Sequence, residues 1–369
     1  MADSIYADHA ATTQLDSDAL AAMLPYLTHL YGNPSALHAA GMQAKEALEQ
    51  ARRTIAACIG ADPEEMYFTC GGTEADNWVI QGTEGAVAVS AIEHHAMLTP
   101  CAAAKQQGRA VLPIPATTEG IVTAAALRDS LTPDVKLVSV MAANNELGTV
   151  QPIAVLAKIA HENGALFHTD AVSAVGHMPM DVKALGVDLL SASAHKFGGP
   201  KGIGFLYVKQ GTAIRPLLYG GAQEHNLRAG TQNVAAIVGM AVALQKATTH
   251  MEVRRTHLCH LTDQFLKGLQ AANIPYIRHG GGEILPGYLS LAFPVMEAET
   301  LLHRLDLQGI MVATKAACNG RNTATSHVLQ AIGLPEEIAA STIRISFGHT
   351  NTEADVSAFI AVLQSILAP

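Results

Sequence analysis

The chain has 369 residues, of which 49% are hydrophobic and 15% are charged, and its formal net charge is −9. This length and apolar content exclude a disordered chain and predict two domains, or one large domain with a smaller partner. The negative charge and the absence of any basic run exclude a nucleic-acid-binding surface.

The N-terminal sequence MADSIYADHAATT contains acidic residues and no apolar core, so it does not predict a signal peptide. No segment approaches the roughly 20 uninterrupted apolar residues of a membrane span. We therefore expect a cytoplasmic protein without a membrane partner.

The next elements in chain order alternate between helix and strand. The stretch QAKEALEQARRTIAACIG repeats apolar residues at intervals of three and four and ends in glycine, which predicts an amphipathic helix. Short apolar runs follow, each bounded by turn residues: GAVAVSAI, KLVSVMAA, ALFHTDAV, VDLLSASA and GIGFLYV. This pattern is typical of buried parallel strands in βαβ units and indicates an α/β fold.

The pattern changes in the last third of the chain. A long helix is predicted from about Gln232 to Gln270. From Pro275 onward, IPYIRHGGGEILPGYLSLAFP and GIMVATKAAC predict strands, and AETLLHRLDLQG and ADVSAFIAVLQSIL predict helices. We expect a second, α+β domain of about 110 residues here.

Cysteine and histidine usage gives no metal signature. Five cysteines form an odd set without a CxxC pair: Cys58, Cys70, Cys101, Cys259 and Cys318. This spacing predicts neither a disulfide framework nor a zinc site. Two histidine pairs are candidate ligands, but no HExxH motif or carboxylate cluster accompanies them: His94 with His95, and His257 with His260. No metal is expected, and at least one cysteine is a candidate for reactivity instead.

Lys196 follows the apolar run VDLLSASA, within the stretch SASAHKFGGPKGIG. A buried ammonium is costly unless it is paired or neutral, and a neutral lysine is a nucleophile that can form a Schiff base. The alternative is a lysine that points back to solvent from a strand end.

A second candidate feature is the glycine pair in YFTCGGTEADNW. Gly71 and Gly72 would let the backbone approach an anion, and the free amides of a helix start would bind phosphate. The sequence is neither a Walker loop nor GxGxxG, and a simple helix cap by Thr73 explains it equally well.

Asp170 ends the otherwise apolar run of ALFHTDAV, where a carboxylate needs a cationic partner to stay ionised. In pyridoxal-phosphate sites, an aspartate keeps the ring nitrogen protonated. One strand-helix-strand step separates Asp170 from Lys196, and ligands bind beyond the carboxyl ends of parallel strands, so both side chains can reach one pocket.

Three further residues follow apolar runs. The His94 imidazole could stack on a flat ring or lie on the surface, and the amides of Asn144 and Asn145 could bind a phenolic oxygen or a carboxylate. Arg344 lies between two isoleucines in STIRISFG, either as a bidentate clamp for a carboxylate or on an edge strand facing solvent.

Taken together, these stretches resemble one family. The chain resembles the cysteine desulfurases of the NifS/IscS type, in the class V aminotransferase group of fold-type I pyridoxal-phosphate enzymes. The blocks that carry the resemblance extend from Tyr6 to Asn351: YADHAATT, GNPSALH, GGTEADN, EHHAML, NNELGTVQPI, HTDAVSAVG, SAHKFGGPKGIG, LRAGTQNVAAIVG and TIRISFGHTN.

The resemblance implies a two-domain α/β fold. The large pyridoxal-phosphate-binding domain, residues 15–250, would hold a mainly parallel seven-stranded sheet between helices. Residues 1–14 and 251–369 would form the smaller α+β domain, which carries the catalytic cysteine loop.

The same resemblance implies roles for individual residues. Lys196 would form the Schiff base with pyridoxal 5'-phosphate, Asp170 would pair with the pyridine nitrogen, and His94 would stack on the ring and act as acid or base. The other cofactor contacts would be Asn145 at the ring hydroxyl and, at the phosphate, Gly72, Thr73, Ser193 and His195.

The implied substrate and subunit contacts are fewer. Arg344 would bind the substrate carboxylate, with Asn33 and Asn145 as further substrate contacts. Thr231, in RAGT, would reach the phosphate of the other subunit, so the family implies a homodimer.

Cys318 is the implied sulfur acceptor. It stands eight residues before SHVL, at the spacing of the long catalytic loop in the first group of these enzymes. The stretch between them is polar, which suits a partly exposed reactive thiol better than the alternative of a buried inert one. Cysteine would become alanine, and its sulfur would pass to Cys318 as a persulfide and on to an acceptor for iron–sulfur cluster assembly or thiolation.

The chain departs from the family pattern at several positions. ATKAAC replaces SSGSAC and adds Lys315, Ser173 replaces a glutamine that contacts the cofactor's phenolic oxygen, and His225 replaces a basic residue. Two other functions remain open: a selenocysteine lyase or related class V enzyme, which needs no thiol at position 318, and a non-catalytic dimeric scaffold.

Overall fold

The computed structural model of the protein describes residues 4–314 and 326–367. The strands in these ranges are β1 (Ile5–Tyr6), β2 (Met66–Thr69), β3 (Ala86–Ser90), β4 (Val111–Ile114), β5 (Val135–Ser139), β6 (Leu166–Asp170), β7 (Leu189–Ser193), β8 (Gly204–Val208), β9 (Ile277–His279), β10 (Tyr288–Ala292), β11 (Ile310–Met311) and β12 (Thr342–Ser346).

The α-helices in the same ranges are α1 (Ser17–Thr28), α2 (Ala39–Cys58), α3 (Gly72–Gly82), α4 (His95–Gln106), α5 (Ala124–Ser130), α6 (Ile153–Glu162), α7 (Val182–Leu185), α8 (Val234–Thr249), α9 (Met251–Ala271), α10 (Ala298–Leu307), α11 (His327–Ala331), α12 (Glu336–Ala340) and α13 (Glu353–Leu367). The predicted amphipathic helix is α2, which confirms that part of the sequence analysis.

The central sheet has seven strands in the order β2-β8-β7-β6-β5-β3-β4. The pairs along β4-β3-β5-β6-β7 are parallel, as predicted. The prediction of a parallel strand for GIGFLYV is wrong, because β8 pairs antiparallel with both β7 and β2. Only residues 194–203 connect β7 to β8, and a parallel crossover needs a dozen or more residues.

Apolar side chains cover both faces of this sheet. One cluster includes Ile55, Leu156 and Leu244 from the helices on one face, and another includes Trp78 and Met97 from α3 and α4. Burial on both faces explains why the strands are continuous apolar runs without alternation. The predicted fold class, a mainly parallel seven-stranded sheet between helices, is confirmed.

The predicted single helix from Gln232 to Gln270 is wrong, because two helices occupy this stretch. The chain turns at His250, which ends α8 and precedes α9 with a non-helical φ of −101° and ψ of 13°. The apolar period continues across the turn, so the sequence pattern does not reveal the break.

The last third of the chain has a core of its own. The antiparallel sheet β9-β10-β12 and the parallel pair β1-β11 share a cluster that includes Phe265, Leu301 and Phe359. The N-terminal residues Ile5 and Ala7 belong to this cluster, and the predicted domain boundaries stay a prediction. In the described ranges, no helix combines the length and apolarity needed to cross a bilayer.

Candidate active site

A cavity of about 480 Å³ opens at the carboxyl ends of the central strands. This is the edge at which open parallel sheets bind ligands. Most of the predicted site residues line it: Gly72, Thr73, His94, Asn145, Asp170, Ser193, His195, Lys196 and Arg344.

Asp170 is the last residue of β6 and is only 3% exposed. Its Oδ1 accepts a hydrogen bond of 2.9 Å from the backbone N–H of Val172. Burial raises the pKa of Asp170, while the Val172 amide and the charge of Lys196 act in the opposite direction. The carboxylate keeps acceptor capacity for a cationic N–H in the cavity.

Lys196 ends a short 3₁₀ turn, Ala194–Lys196, directly after β7. Its Nζ donates a hydrogen bond of 2.5 Å to the carbonyl of Ala10 and is half-buried at the cavity wall. The alternative of a lysine that points into solvent is therefore wrong. Asp170 at the end of β6 and Lys196 after β7 therefore line the same cavity, as predicted.

The phosphate-type subsite is at the start of α3. Gly71 precedes the helix with a φ of 150°, which favours glycine, and the first helical residues Gly72 and Thr73 line the cavity. A Cβ atom at Gly72 would lie 2.5 Å from Val172 Cγ2, so only glycine fits there without a shift. The first amides of a helix have no intrahelical acceptor and suit an anion.

Ser193 and His195 lie beside this helix start. Ser193 is buried, and the Nδ1 of His195 lies 3.1 Å from Thr12 Oγ1. Burial, followed by the charges of Lys196 and Lys201, lowers the pKa of His195 to about 4. A neutral His195 can accept or donate a hydrogen bond to a phosphate but adds no charge.

His94 caps the start of α4, with Nδ1 accepting a hydrogen bond of 3.1 Å from the N–H of Ala96. Burial is the main cause that lowers the pKa of His94 to about 4, and the charge of Lys196 is the second. The imidazole is therefore neutral at physiological pH, with its proton on Nε2 because Nδ1 is the acceptor, which suits both ring stacking and hydrogen-bond donation.

Arg344 is buried, at 4% exposure, in β12. Its Nη1 donates to the Asn145 carbonyl at 3.0 Å and its Nη2 to Asp8 Oδ1 at 2.7 Å, while its Nε has no hydrogen-bond partner. The alternative of an arginine that faces solvent is wrong. Arg344 lines the cavity, where its guanidinium can pair with a substrate carboxylate.

Some predicted residues do not line the cavity. Asn33 is exposed, with its Oδ1 accepting from the N–H of Ser35 at 2.9 Å, and Thr231 is exposed as well. Cys318 and Lys315 lie outside the described residues. The roles of these residues stay predictions.

Several lining residues were missed by the sequence analysis. Thr12 and Lys201 lie in YADHAATT and GPKGIG, two blocks that carried the resemblance but received no role, and Cys70 begins the glycine turn. Ser173 was not missed, since the sequence analysis named it as the replacement of a glutamine; it is buried at the cavity wall and lies within hydrogen-bonding reach of the Tyr288 hydroxyl. That contact joins two segments far apart in sequence, so no local pattern reveals it.

The site combines a lysine, a buried carboxylate, a helix start, a neutral imidazole and a buried guanidinium around one cavity. Among the residues that the structure describes, no group of three or more histidine, cysteine or acidic side chains could hold a metal ion. The arrangement can hold an anionic, flat, electron-withdrawing cofactor and a substrate carboxylate at the same time.

Comparison with known proteins gives concordant results. The family model described as aminotransferase class-V matches residues 5–359. The chain is 43% identical to a protein named cysteine desulfurase IscS from Methanosarcina thermophila, covering 99% of this chain and 92% of that one. It is 42% identical to a protein of the same name from Dictyoglomus turgidum, covering 100% and 95%.

Solved structures agree with these relatives. A NifS-like protein superposes with a TM-score of 0.93 at 36% identity, covering 99% of this chain and 100% of that one. The apo structure of a cysteine desulfurase from Thermococcus onnurineus superposes with a TM-score of 0.86 at 26% identity, covering 99% and 94%.

Proposed function

The chain belongs to the cysteine desulfurases of the class V aminotransferase family, and from that premise we propose that the cavity around Lys196 removes sulfur from L-cysteine and that Cys318 carries it. The observation that carries the proposal is the convergence of Lys196, Asp170 and Arg344 on one cavity, although they come from three separate strands or strand ends.

The residues present fit pyridoxal 5'-phosphate, the cofactor of this family. The start of α3 lines the cavity with free backbone amides for a phosphate, and Asp170 offers a buried carboxylate for a protonated ring nitrogen. Lys196 would hold the aldehyde carbon, His94 would face the ring, and Ser193 with the N-terminal amides of α3 would hold the phosphate. When bound, this cofactor withdraws electrons from the substrate's α-carbon.

The protein's own side chains then bind and orient the substrate and move its protons. Arg344 binds the substrate carboxylate with its guanidinium, which fixes the amino acid relative to Lys196. The Nζ of Lys196 takes the α-proton and later returns a proton to the product carbon skeleton. The imidazole of His94 is neutral at physiological pH and carries its proton on Nε2, because Nδ1 accepts from the N–H of Ala96, so it can donate a hydrogen bond or a proton to the substrate.

Sulfur transfer needs a thiolate, and Cys318 supplies it. Its sulfur attacks the sulfur of cysteine, the carbon–sulfur bond breaks, and the carbon gains a proton, so that cysteine and one enzyme thiol give alanine and one enzyme persulfide. Cys70 also lines the cavity, but burial, followed by the neighbouring Glu74, raises the pKa of its thiol to about 11. A neutral thiol is a poor nucleophile, so Cys70 does not compete.

The proposal includes a homodimer in which Thr231 reaches the partner's phosphate. Leu20, Leu24 and Leu27 form an exposed apolar row on α1, and Tyr31 continues it. An exposed apolar row of this kind supports a protein–protein interface, here the dimer interface. A sulfur-acceptor protein, either an iron–sulfur scaffold or a thiolation protein, completes the cycle, and the cytoplasmic location expected from the sequence is part of the same proposal.

The test is a persulfide assay on the cofactor-loaded protein. We expect that L-cysteine yields alanine and a persulfide that mass spectrometry maps to Cys318, and that Cys318→Ser abolishes both products. The matched controls are Cys70→Ser and Cys259→Ser, which remove the two exposed thiols of the described ranges and leave alanine formation unchanged.

Two outcomes would contradict the proposal. Undiminished alanine release by Cys318→Ser would remove the sulfur-carrier role and favour a lyase that acts without an enzyme thiol. Full activity and an unchanged cofactor spectrum in Lys196→Ala would show that the cavity is not the site of the reaction.

A further inference from the structure

Residues 10–16, which we call the N-terminal strap, bind the backbone of the turn that carries Lys196. The backbone N–H and the hydroxyl of Thr13 both donate to the carbonyl of His195, at 2.9 and 2.8 Å, although 182 residues separate the two in sequence. The N–H of Gly198 donates to Thr13 Oγ1 at 2.9 Å, and the N–H of Asp16 donates to the Gly198 carbonyl at 2.8 Å. One threonine hydroxyl therefore bridges the backbone on the two sides of Lys196.

The turn depends on this hydroxyl because Gly198 is buried. Its φ of 90° lies in the region that favours glycine, and Thr13 Oγ1 accepts the hydrogen bond from its N–H. A hydroxyl donates and accepts at the same time, so threonine or serine can serve both Gly198 and His195, whereas valine has the same shape and serves neither. A buried N–H that loses its acceptor is costly, so removal of the hydroxyl would displace the turn.

The strap also contacts the side chain of Lys196 and the strand that carries Arg344. The carbonyl of Ala10 accepts from Lys196 Nζ at 2.5 Å, and the N–H of Ala10 donates to Ser346 Oγ at 2.8 Å. Ser346 is two residues after Arg344 in β12. On its other side, the Lys196 carbonyl accepts from His177 Nε2 at 2.9 Å. The strap therefore connects the turn that carries the lysine to the strand that carries the arginine.

The backbone of this turn sets the direction of the Lys196 side chain. Lys196 ends the 3₁₀ turn Ala194–Lys196, so its Cα lies between the His195 carbonyl and the Gly198 N–H that Thr13 holds. The Nζ is at the far end of a long, flexible side chain, so a small tilt of the backbone changes its position considerably. A misplacement of about 1 Å can slow a reaction between two positioned groups by about a hundredfold.

We propose that Thr13 is a positioning residue, which holds the Lys196 turn so that Nζ is directed at the aldehyde carbon of the cofactor. The inference rests on the proposed function for the identity of that carbon. Thr13 lies outside the lining of the cavity, so it acts through the turn and touches neither cofactor nor substrate.

The first experiment measures amide hydrogen exchange in the apo protein and needs neither cofactor nor activity. We expect the Gly198 amide to exchange about tenfold to a hundredfold faster in Thr13→Val than in the wild type, and within about threefold of it in Thr13→Ser. Unchanged exchange at Gly198 in Thr13→Val would overturn the proposal, whatever reaction the protein catalyses.

The matched control is Thr83→Val, which removes a buried threonine hydroxyl away from the cavity. Thr83 Oγ1 donates to the Val79 carbonyl at 2.7 Å and accepts from Arg109 Nη2 at 3.1 Å, so this variant also loses one donated and one accepted hydrogen bond. It should leave the exchange of Gly198 unchanged. Faster exchange at Gly198 in Thr83→Val would show a general loss of stability and would overturn the proposal.

The second experiment measures how fast Lys196 of the apo protein reacts with pyridoxal phosphate. The amine condenses with the aldehyde and releases water, borohydride reduces the resulting carbon–nitrogen double bond, and mass spectrometry quantifies the adduct at Lys196. We expect the adduct to form about tenfold to a hundredfold more slowly in Thr13→Val, and within about threefold of the wild-type rate in Thr13→Ser and Thr83→Val.

The outcomes separate this inference from the proposed function. Equal rates in the wild type and Thr13→Val would overturn this inference alone, and a rate in Thr13→Ser as low as in Thr13→Val would do the same. A wild type that forms no adduct at Lys196 would overturn the proposed function, and this inference with it. If Thr13→Val fails to fold, Thr13→Ala, which also removes the hydroxyl, takes its place in both experiments.

Discussion

The carboxylate of Asp8 contacts the guanidinium of Arg344 at 2.7 Å, from Oδ1 to Nη2, although 336 residues separate the two in sequence. Arg344 is thus already paired with an anion in the absence of substrate. A substrate carboxylate that pairs with Arg344 in the cavity has to bind beside this negative charge.

The first prediction follows from this pair. Asp8→Asn keeps an oxygen that accepts from Nη2 but removes the negative charge next to the substrate carboxylate. We expect the KM for cysteine to fall by about threefold to tenfold, because like charges at this separation repel at the partly buried site. Steady-state kinetics on the cofactor-loaded protein measure this.

The control for that prediction is Arg344→Lys, which loses the planar donor geometry and should raise the KM strongly. An unchanged or higher KM in Asp8→Asn would show that Asp8 orients Arg344 and does not compete for it.

The second prediction concerns the contact of Gly72 with Val172. In Gly72→Ala the new methyl group meets Val172 Cγ2 at 2.5 Å, and a displaced Val172 carries away the N–H that binds Asp170. We expect pyridoxal phosphate to bind about tenfold to a hundredfold more weakly, measured by tryptophan quenching. Adding Val172→Ala makes room for the methyl group and should restore most of the affinity, and a double variant as weak as Gly72→Ala would refute the steric explanation.

The third prediction concerns stability. Arg52 and Glu224 form a buried ion pair with an N–O distance of 2.8 Å, and three consecutive residues from Glu224 to Asn226 have positive φ angles that this pair helps to hold. Arg52→Met leaves the buried carboxylate without its cationic partner, with only the Phe68 N–H and the Gln232 amide as donors, and should lower the free energy of unfolding by about 3–5 kcal/mol in urea titrations. Lys183→Met, which breaks an exposed pair with Asp62, should cost less than about 1 kcal/mol.

The same ion pair predicts a pH dependence. Burial alone would raise the pKa of Glu224, but hydrogen bonds and charge from Arg52 outweigh it, and the net pKa is lowered. A lowered folded-state pKa contributes stability above the unfolded value, and this contribution is lost as the pH falls through the folded value. The difference in stability between wild type and Arg52→Met should therefore shrink in strongly acidic solution, and a constant difference would contradict this account.

The fourth prediction concerns His94 in the apo protein. Its folded pKa of about 4 lies below the ordinary value of 6.5, so the unfolded chain binds more protons between these pH values. Its contribution to stability is fully present above pH 6.5 and is lost as the pH falls toward 4. His94→Asn should reduce the loss of stability between pH 7 and pH 4 by on the order of 1–3 kcal/mol, measured by urea unfolding at each pH. An unchanged pH profile in this variant would mean that His94 titrates normally.

Much of this site is predictable from the sequence because its charged residues lie in or directly after apolar strands. Asp170, Lys196 and Arg344 each stand out as a charge beside an apolar run, and sheet geometry is enough to bring the first two together. The antiparallel direction of β8 was not predictable in the same way, because an apolar run does not encode the direction of a strand. The break at His250 was not predictable either, because the spacing of apolar residues stays helical across it.

The contacts that tune the site were also hidden from the sequence. Two contacts join segments that are far apart in the chain: Asp8 with Arg344, and Ser173 with Tyr288. Neither contact therefore gives a signal in the local sequence. Asp76 is part of an ordinary helix start in the sequence, and only its burial at the cavity wall distinguishes it from a solvated acid.

The pairing of Ile5 with Ile310 and of Tyr6 with Met311 has a consequence for biosynthesis. At about 5–20 residues per second, the ribosome needs on the order of 15–60 s to make the partner strand after the N-terminal strand has emerged. The central sheet is complete well before then, while Asp8 and Ala10 are not yet fixed beside Arg344 and Lys196. We expect nascent chains stalled near residue 250 to contain a folded sheet that still lacks Arg344, the residue that binds the substrate carboxylate.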